Sequence, residues 1–346
     1  MDNVTHAALG LSAGLVVARR GGSLSAAALA SLLASEAPDL DVFVRQSDDV
    51  LASFRWHRHF AHSFAFVPIW GFLAAWLTSK LYQWRRHVTI PWTELFIPGM
   101  VGTLTHLLCD NCTSYGTILL WPFNTTRYAW DCLPIIDLFA TLPLLTLTFL
   151  ALRGEKSRKL AAIGLSWFIL YASFGVFQNF RAENHLRAWL TAQKISPGRL
   201  TVKPTISNLW LWRATWEHEG RWHVAVLHLK PWGETKLLLG ETSAVWSPTT
   251  PGNPPAGSAG AKTLEDFSAF TRGWNSYRPA AEGLIIGDIR YALVPTSAQP
   301  VWALQCDPNG QATQTRLVMN REIHSEDLAK FWLLLKGQDS GFITLP

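Results

Sequence analysis

The chain changes texture once along its length. Up to about residue 180, long apolar runs are separated by short polar or basic breaks; beyond it, brief runs of β-forming residues alternate with Gly/Pro turns. Residues 5–18 (THAALGLSAGLVVA) are apolar and small and end on Arg19-Arg20 and Gly21-Gly22. That pattern predicts a helix with a stop signal, too short for a full membrane span. Residues 23–36 predict a second Ala/Leu-rich helix, with Ser23 as N-cap and Pro38 just past its end. Small residues dominate both, as in two helices packed closely as a hairpin. WHRHFAHSF (Trp56 to Phe64) then leads into an apolar helix running to about Tyr82, long enough to cross a bilayer. Further apolar stretches follow at Trp92 to Leu108, Leu133 to Leu152 and Leu160 to Phe180.

From Arg181 the segments RLTV, NLWLWRATWE, RWHVAVLHLK, TKLLLGE, GLIIGDIRYALVP and PVWALQCD read as strands. Residues 247–261 (SPTTPGNPPAGSAGA) read as a mobile loop, and SEDLAKFWLLLKG (Ser325 to Gly337) as an amphipathic helix. The pattern therefore predicts a multi-domain chain. Residues 1–180 form an all-α membrane domain of about five or six apolar helices, and residues 181–346 a mostly-β (α+β) soluble domain.

Composition supports the membrane half. Of the 346 residues 49% are hydrophobic and only 16% charged, against about 25% charged in soluble proteins. Eighteen Trp fit membrane interfaces, where that side chain concentrates. The net charge of +5 comes in small clusters and not in a stripe, so it reads as topology signal and not as a nucleic-acid footprint. Those clusters are Arg19-Arg20, Lys80 to Arg86 and Arg153 to Lys159. The positive-inside rule places all three in the cytoplasm and the C-terminal domain on the other side of an inner membrane. The N-terminus, MDNVTH, lacks a basic n-region and is expected to be mature sequence. Cys109, Cys112, Cys132 and Cys306 are too few for a disulfide scaffold; Cys109-x-x-Cys112 has no second CxxC beside it and reads as structural.

The same topology gathers the candidate chemistry on the non-cytoplasmic side. His106 and Asp110 are four residues apart, one helical turn, and share a face at the end of an apolar helix. Such a buried pair is costly unless something charged binds there. His6, Asp39/Asp41, His57/His62 and Asp131/Asp137 fall at the same helix ends, and Asp137 lies deeper in an apolar run than Asp131. Imidazoles with carboxylates suit a divalent metal, Zn ahead of Mn or Mg. The candidate ligands are His6, Asp39, His57, His62, His106 and Asp110. Asp41 and Asp137 are the candidate catalytic carboxylates, as general base or as a group orienting a His ligand, though spacing alone leaves ligand and base interchangeable. Plainer roles exist for each residue: a cap for His6, a turn for Asp39/Asp41, a headgroup collar of His57 and His59 with Arg55 and Arg58, and an intramembrane hydrogen bond for His106 with Asp110. No G-x-S-x-G, P-loop or GxGxxG occurs, which argues against serine hydrolases and nucleotide-binding folds.

Taken in order, Asp2, Thr5-His6 and Gly10, Pro38-Asp39-Leu40-Asp41, His57-Arg58, His62-Ser63, His106, Asp110, Tyr115-Gly116-Thr117, Pro122-Phe123 and Ile136-Asp137 resemble the signature of the YdjM-like membrane-bound metal-dependent hydrolases. The resemblance covers about residues 1–150, with Ala61, His59 and Leu138 standing where that family usually has Thr, Gly and Pro. It implies metal-dependent hydrolysis at an inner membrane, in a longer subgroup with an extra C-terminal domain. A more distant likeness to zinc-dependent phospholipase C and P1-type nucleases implies phosphoester substrates. The expected activity is attack of a metal-activated water on an ester or phosphoester of a membrane-associated substrate, with no nucleic-acid partner. The alternative is a non-enzymatic membrane protein whose metal site is structural or sensing and whose C-terminal domain binds a partner. Oligomeric state leaves no mark in the sequence.

Overall fold

A computed structural model of the chain describes residues 1–43, 51–230, 233–280, 283–306, 315–320 and 322–345. Asp307, the last residue of the predicted PVWALQCD strand, lies outside them. The chain forms two compact units. The first comprises Met1–Arg45, Trp56–Phe177 and Ile206–Asn208; the second comprises Gln46–Arg55, Gln178–Thr205 and Leu209–Pro346.

The first unit is helical. Helices α1 (Asn3–Val17) and α2 (Leu24–Glu36) are followed by a 3-10 turn, Pro38–Phe43; the short helix α3 (Ala52–Trp56) comes next in the chain and belongs, up to Arg55, to the second unit. Two further 3-10 turns, Phe60–His62 and Phe64–Phe66, lead into α4 (Val67–Arg86), α5 (Trp92–Cys112), α6 (Leu138–Arg153) and α7 (Ser157–Ala192), of which the part up to Phe177 belongs to the first unit. The helix starts are capped as their sequences dictate. Asp2 accepts from the Thr5 amide (3.0 Å) and its hydroxyl (2.7 Å), and Ser23 accepts from Ala26 N (3.2 Å). α5 packs against α1, α2 and α4. Glycine makes these approaches possible: a Cβ on Gly14 would lie 2.6 Å from Ala27 O, and one on Gly99 2.6 Å from Gly71 O. Where helices touch through small residues, hydroxyls link them, as in Ser12 Oγ to Thr148 Oγ1 (2.7 Å) and Thr5 Oγ1 to Thr141 Oγ1 (2.6 Å).

The expectation of five or six membrane helices needs correction. Among the described residues only two segments are long and apolar enough to cross a bilayer, Phe64–Arg86 and Ser157–Ala192. Their windows are 28% and 22% buried, so most of their apolar surface faces outward. α1 and α6 have only 15 and 16 residues, short of the roughly 20 that a span needs. α5 has 21, but it is the helix the others pack around and it buries His106, Asp110 and Asn111. Its apolar sequence serves a protein interior.

Among its described residues, the second unit is a nine-stranded antiparallel sheet flanked by helices. Strands β1 (Leu200–Pro204), β2 (Leu211–His218), β3 (Arg221–Leu229) and β4 (Thr235–Val245) precede helix α8 (Ala259–Thr271). Then come β5 (Asn275–Pro279), β6 (Leu284–Asp288), β7 (Trp302–Cys306), β8 (Arg316–Met319), helix α9 (Ser325–Lys336) and β9 (Ile343–Leu345). Strands β1 to β8 pair in sequence order, and β9 adds to β4. The predicted loop at 247–261 runs into a helix: its Ser258 caps α8 by accepting from Ala261 N (3.2 Å). Leu264 and Phe267 of α8 pack on Leu284, Ile286, Leu304 and Cys306, and Leu51 and Phe54 complete that cluster.

Candidate metal centre

The hairpin α1–α2 and the pair α4–α5 bring four element ends together: the start of α1, the end of α2, the turns before α4 and the end of α5. Each end contributes titratable side chains. After α2, Pro38 opens a 3-10 turn whose three-residue period buries Pro38 and Asp41 and leaves Asp39 half-buried. Before α4, the Phe60–His62 turn is closed by Ser63 Oγ donating to Phe60 O (2.8 Å) and delivers His62 with no exposed surface. On α5, His106 and Asp110 lie one turn apart on the buried face, as their spacing predicts.

Four atoms converge. His62 Nε2 lies 3.3 Å from Asp39 Oδ1 and 3.5 Å from Asp110 Oδ2. His106 Nε2 lies 3.6 Å from Asp39 Oδ1 and 3.5 Å from Asp110 Oδ2. One donor atom from each of Asp39, His62, His106 and Asp110 falls within 4.8 Å of all the others. The two oxygens of Asp110 have different surroundings. Oδ1 is saturated by Arg58 Nη2 (2.9 Å), His6 Nε2 (3.1 Å) and the amine of Met1. Oδ2 is buried and, like His106 Nε2, makes no hydrogen bond. Leaving buried polar atoms unpaired costs about 1–3 kcal/mol each, and here both point at the same small volume. Two imidazole nitrogens and two carboxylate oxygens form a donor set that fits a divalent first-row ion.

Asp41 stands behind this set. Its Oδ1 meets His57 Nδ1 at 2.8 Å, and its Oδ2 faces His62 Nδ1 at 3.1 Å and accepts from Arg58 N at 3.0 Å. The ring nitrogen of His62 opposite the convergent one thus faces a carboxylate without an aligned hydrogen bond to it, on the side from which carboxylates orient metal-binding histidines. Burial tends to raise the Asp39 and Asp41 carboxyls, yet contact with the histidines holds both below the usual carboxylate range: His62 and His106 for Asp39, His57 and His62 for Asp41. Burial tends to lower His62, but its bonds to Asp39 and Asp41 hold it above its ordinary value. Asp39, Asp41 and His57 form a second group, with the Asp39 side chain 16% and that of His57 26% exposed. The solvent-exposed part of the centre lies on this side.

The remaining candidates lie outside both groups. His6 stacks on His106 with ring centroids 3.9 Å apart and binds the saturated oxygen of Asp110, so it supports the centre from behind. Asp137 caps α6: it accepts from Phe139 N (2.9 Å) and Ala140 N (3.1 Å), and from Tyr171 Oη at 2.9 and 3.1 Å. Its oxygens are engaged at a helix start. Arg58, which in sequence reads as part of an exposed basic collar, is buried with its guanidinium against Asp110 and Thr113 Oγ1 (2.8 Å). It occupies a left-handed conformation (φ 57°) pinned by Ile118 N donating to its carbonyl (3.1 Å). The signal for it was its place between two candidate histidines. Cys109, Cys112 and Cys132 are buried free thiols.

No curated protein and no solved structure matches the chain. A family model described as YdjM inner membrane protein matches residues 1–182, over half of the 346 residues. The matched segment contains every residue of both His/Asp groups, and the strands of the second unit lie beyond it. The chain therefore belongs to the YdjM inner membrane protein family, extended here by a C-terminal β-sheet unit.

Proposed function

We propose that the chain is a membrane-bound metal-dependent hydrolase that cleaves an ester or phosphoester of a membrane-associated substrate. The observation that carries this reading is the convergence of two orphaned buried atoms, His106 Nε2 and Asp110 Oδ2, with Asp39 and His62. Asp39, His62, His106 and Asp110 would hold the ion, and their mixed nitrogen and oxygen donors favour Zn over Mn or Mg. An ion bound there supplies Lewis acidity and acidifies a water. Asp41 holds His57 through a hydrogen bond to its Nδ1 and faces His62 Nδ1 at 3.1 Å. His57, held in this way and partly open to solvent, is placed to hold the proton released as water attacks. Hydrolysis adds the hydroxyl of water to the acyl or phosphoryl centre, breaks its bond to the leaving oxygen and returns the proton to that oxygen. Arg58, saturating Asp110 Oδ1, leaves Oδ2 as the free oxygen.

A site with a purely structural metal would be closed on all sides; the exposure of Asp39 and His57 favours the enzyme. Basic residues end α4 and α6, at Arg85-Arg86 and Arg153. Under the positive-inside rule those ends support a centre on the non-cytoplasmic side, at the opposite helix ends. The test is metal analysis of the purified protein with ester and phosphoester assays, before and after His106→Ala. Loss of both metal and hydrolysis is expected. Full activity of the variant would sink the proposal.

A further inference from the structure

The turn that supplies Asp39 and Asp41 also carries the least expected surface near the centre. Its period turns Pro38 and Asp41 inward, while Leu40, Val42 and Phe43 face outward, 54%, 48% and 74% exposed. The exposed apolar surface continues past this one turn. The turn packs beside Phe60–His62, and Phe64, 40% exposed, follows that segment. Phe64 N donates to Leu119 O (2.9 Å), next to Leu120, which is 43% exposed. Phe123, 93% exposed, closes the same loop by donating its amide to Leu120 O (2.9 Å). Large apolar side chains clustered around a polar opening mark an interaction surface.

Its occupant follows from what the surface joins. Phe64 is also the first residue of the candidate span Phe64–Arg86, whose window is only 28% buried. The apolar collar of the centre is thus continuous with surface that meets hydrocarbon in an inner membrane protein. His62 lies two residues before that candidate span; with the segment across a bilayer, the centre would sit at the depth where lipid polar groups meet acyl chains.

We propose that Leu40, Val42 and Phe43 form a lip that dips into the bilayer, and that the substrate is a bilayer-resident amphiphile. Its polar group enters past Asp39 and His57 while its apolar tail stays against the lip. This rests on the hydrolase reading of the centre and adds to it the substrate class and the residues that select it.

Two measurements on the full-length protein test it. All the native cysteines are buried, so single cysteines introduced by Leu40→Cys, Phe43→Cys and Phe123→Cys take a nitroxide label selectively. In phosphatidylcholine/phosphatidylglycerol nanodiscs these labels should collide with oxygen in preference to a water-soluble paramagnetic chelate. A label at Glu219→Cys, on an exposed side chain, should show the reverse. Chelate-accessible labels on the lip, or dipolar broadening from a second copy, overturn the proposal. In the second measurement, dodecyl phosphate and methyl phosphate bind to zinc-loaded protein with and without Leu40→Ser/Phe43→Ser. Partition into the disc is common to both proteins. The double variant should weaken dodecyl phosphate by about tenfold or more and leave methyl phosphate and metal content unchanged. Equal effects on both ligands overturn the tail contact. A protein that takes up no metal would sink the hydrolase reading, whereas the lip labels report their surroundings with or without an ion.

Discussion

Asp41→Asn is the substitution that best separates a residue holding the metal from one holding its ligands. The change keeps shape and removes charge. In the wild type one oxygen meets His57 Nδ1 at 2.8 Å, and the other faces His62 Nδ1 at 3.1 Å and accepts from Arg58 N at 3.0 Å. An amide retains one acceptor oxygen, so at most one histidine keeps its partner. The Asp41 side chain is only 2% exposed, so solvent does little to replace the lost contact. Loss of a group that orients a metal-binding histidine costs about 10- to 100-fold in affinity, equivalent to about 1.4–2.7 kcal/mol. Loss of a ligand costs more. Structural zinc sites with four ligands bind with about 10–16 kcal/mol, so one quarter is about 2.5–4 kcal/mol, or roughly 10² to 10³ in affinity. Competition against a chromophoric zinc chelator on detergent-purified protein should therefore rank Asp41→Asn between wild type and His106→Ala. The thermal melt of the metal-free forms serves as the control for folding. Affinity within threefold of wild type, or a loss as large as that of His106→Ala, would refute the assignment.

Three other outcomes follow from single contacts. Asp137→Ala removes the α6 cap and should lower thermal stability by about 1 kcal/mol with metal content unchanged; a loss of metal would return Asp137 to the centre. Gly99→Leu places a side chain where a Cβ alone would meet Gly71 O at 2.6 Å. Overpacking of this kind costs about 1–3 kcal/mol or more, read as a lower melting temperature in detergent, and an unchanged melt would refute the close α4–α5 approach. Phe54→Ala empties a position 5% exposed in the cluster with Leu264, Phe267 and Ile286. It should destabilise the second unit by about 3–5 kcal/mol, visible as faster amide exchange in β6 and β7; unchanged protection would show that Phe54 does not belong to that core.

The sequence reveals most where one contact type dominates. Ser23 reads as a cap and is one, because a serine before an Ala/Leu run has few other uses. His106 and Asp110 read as a pair because helical spacing is rigid. In the second unit, strands such as Arg221–Leu229 announce themselves through dense β-forming residues. Hydropathy overstates the number of membrane helices because it does not distinguish a lipid-facing helix from one buried in protein. α5 is apolar for the second reason, and only its small residues, Gly99 and Gly102, hint at close neighbours. Helix α8 was hidden because the Gly/Pro-rich stretch before it masks where the cap falls. The shared centre of Asp39, His62, His106 and Asp110 was legible as a set through its ordered motifs, while the division of roles within it was not. That division depends on which oxygen of Asp110 faces which neighbour, a matter of ångströms that spacing does not encode.

Arg58 illustrates the same limit and explains the balance of charge. Beside Arg55 and two histidines it reads as a surface collar, yet its left-handed backbone turns the guanidinium inward onto Asp110. Asp39, Asp41 and Asp110 place three carboxylates around the buried imidazoles of His62 and His106, with the Arg58 guanidinium on Asp110. Carboxylates gathered in a largely buried place are unfavourable unless cations join them. A divalent ion held there would supply positive charge to a phosphoester, or to the oxyanion that develops as a carbonyl is attacked. Arg58 thus holds one oxygen of Asp110 and leaves the other facing His62 and His106 without a hydrogen bond.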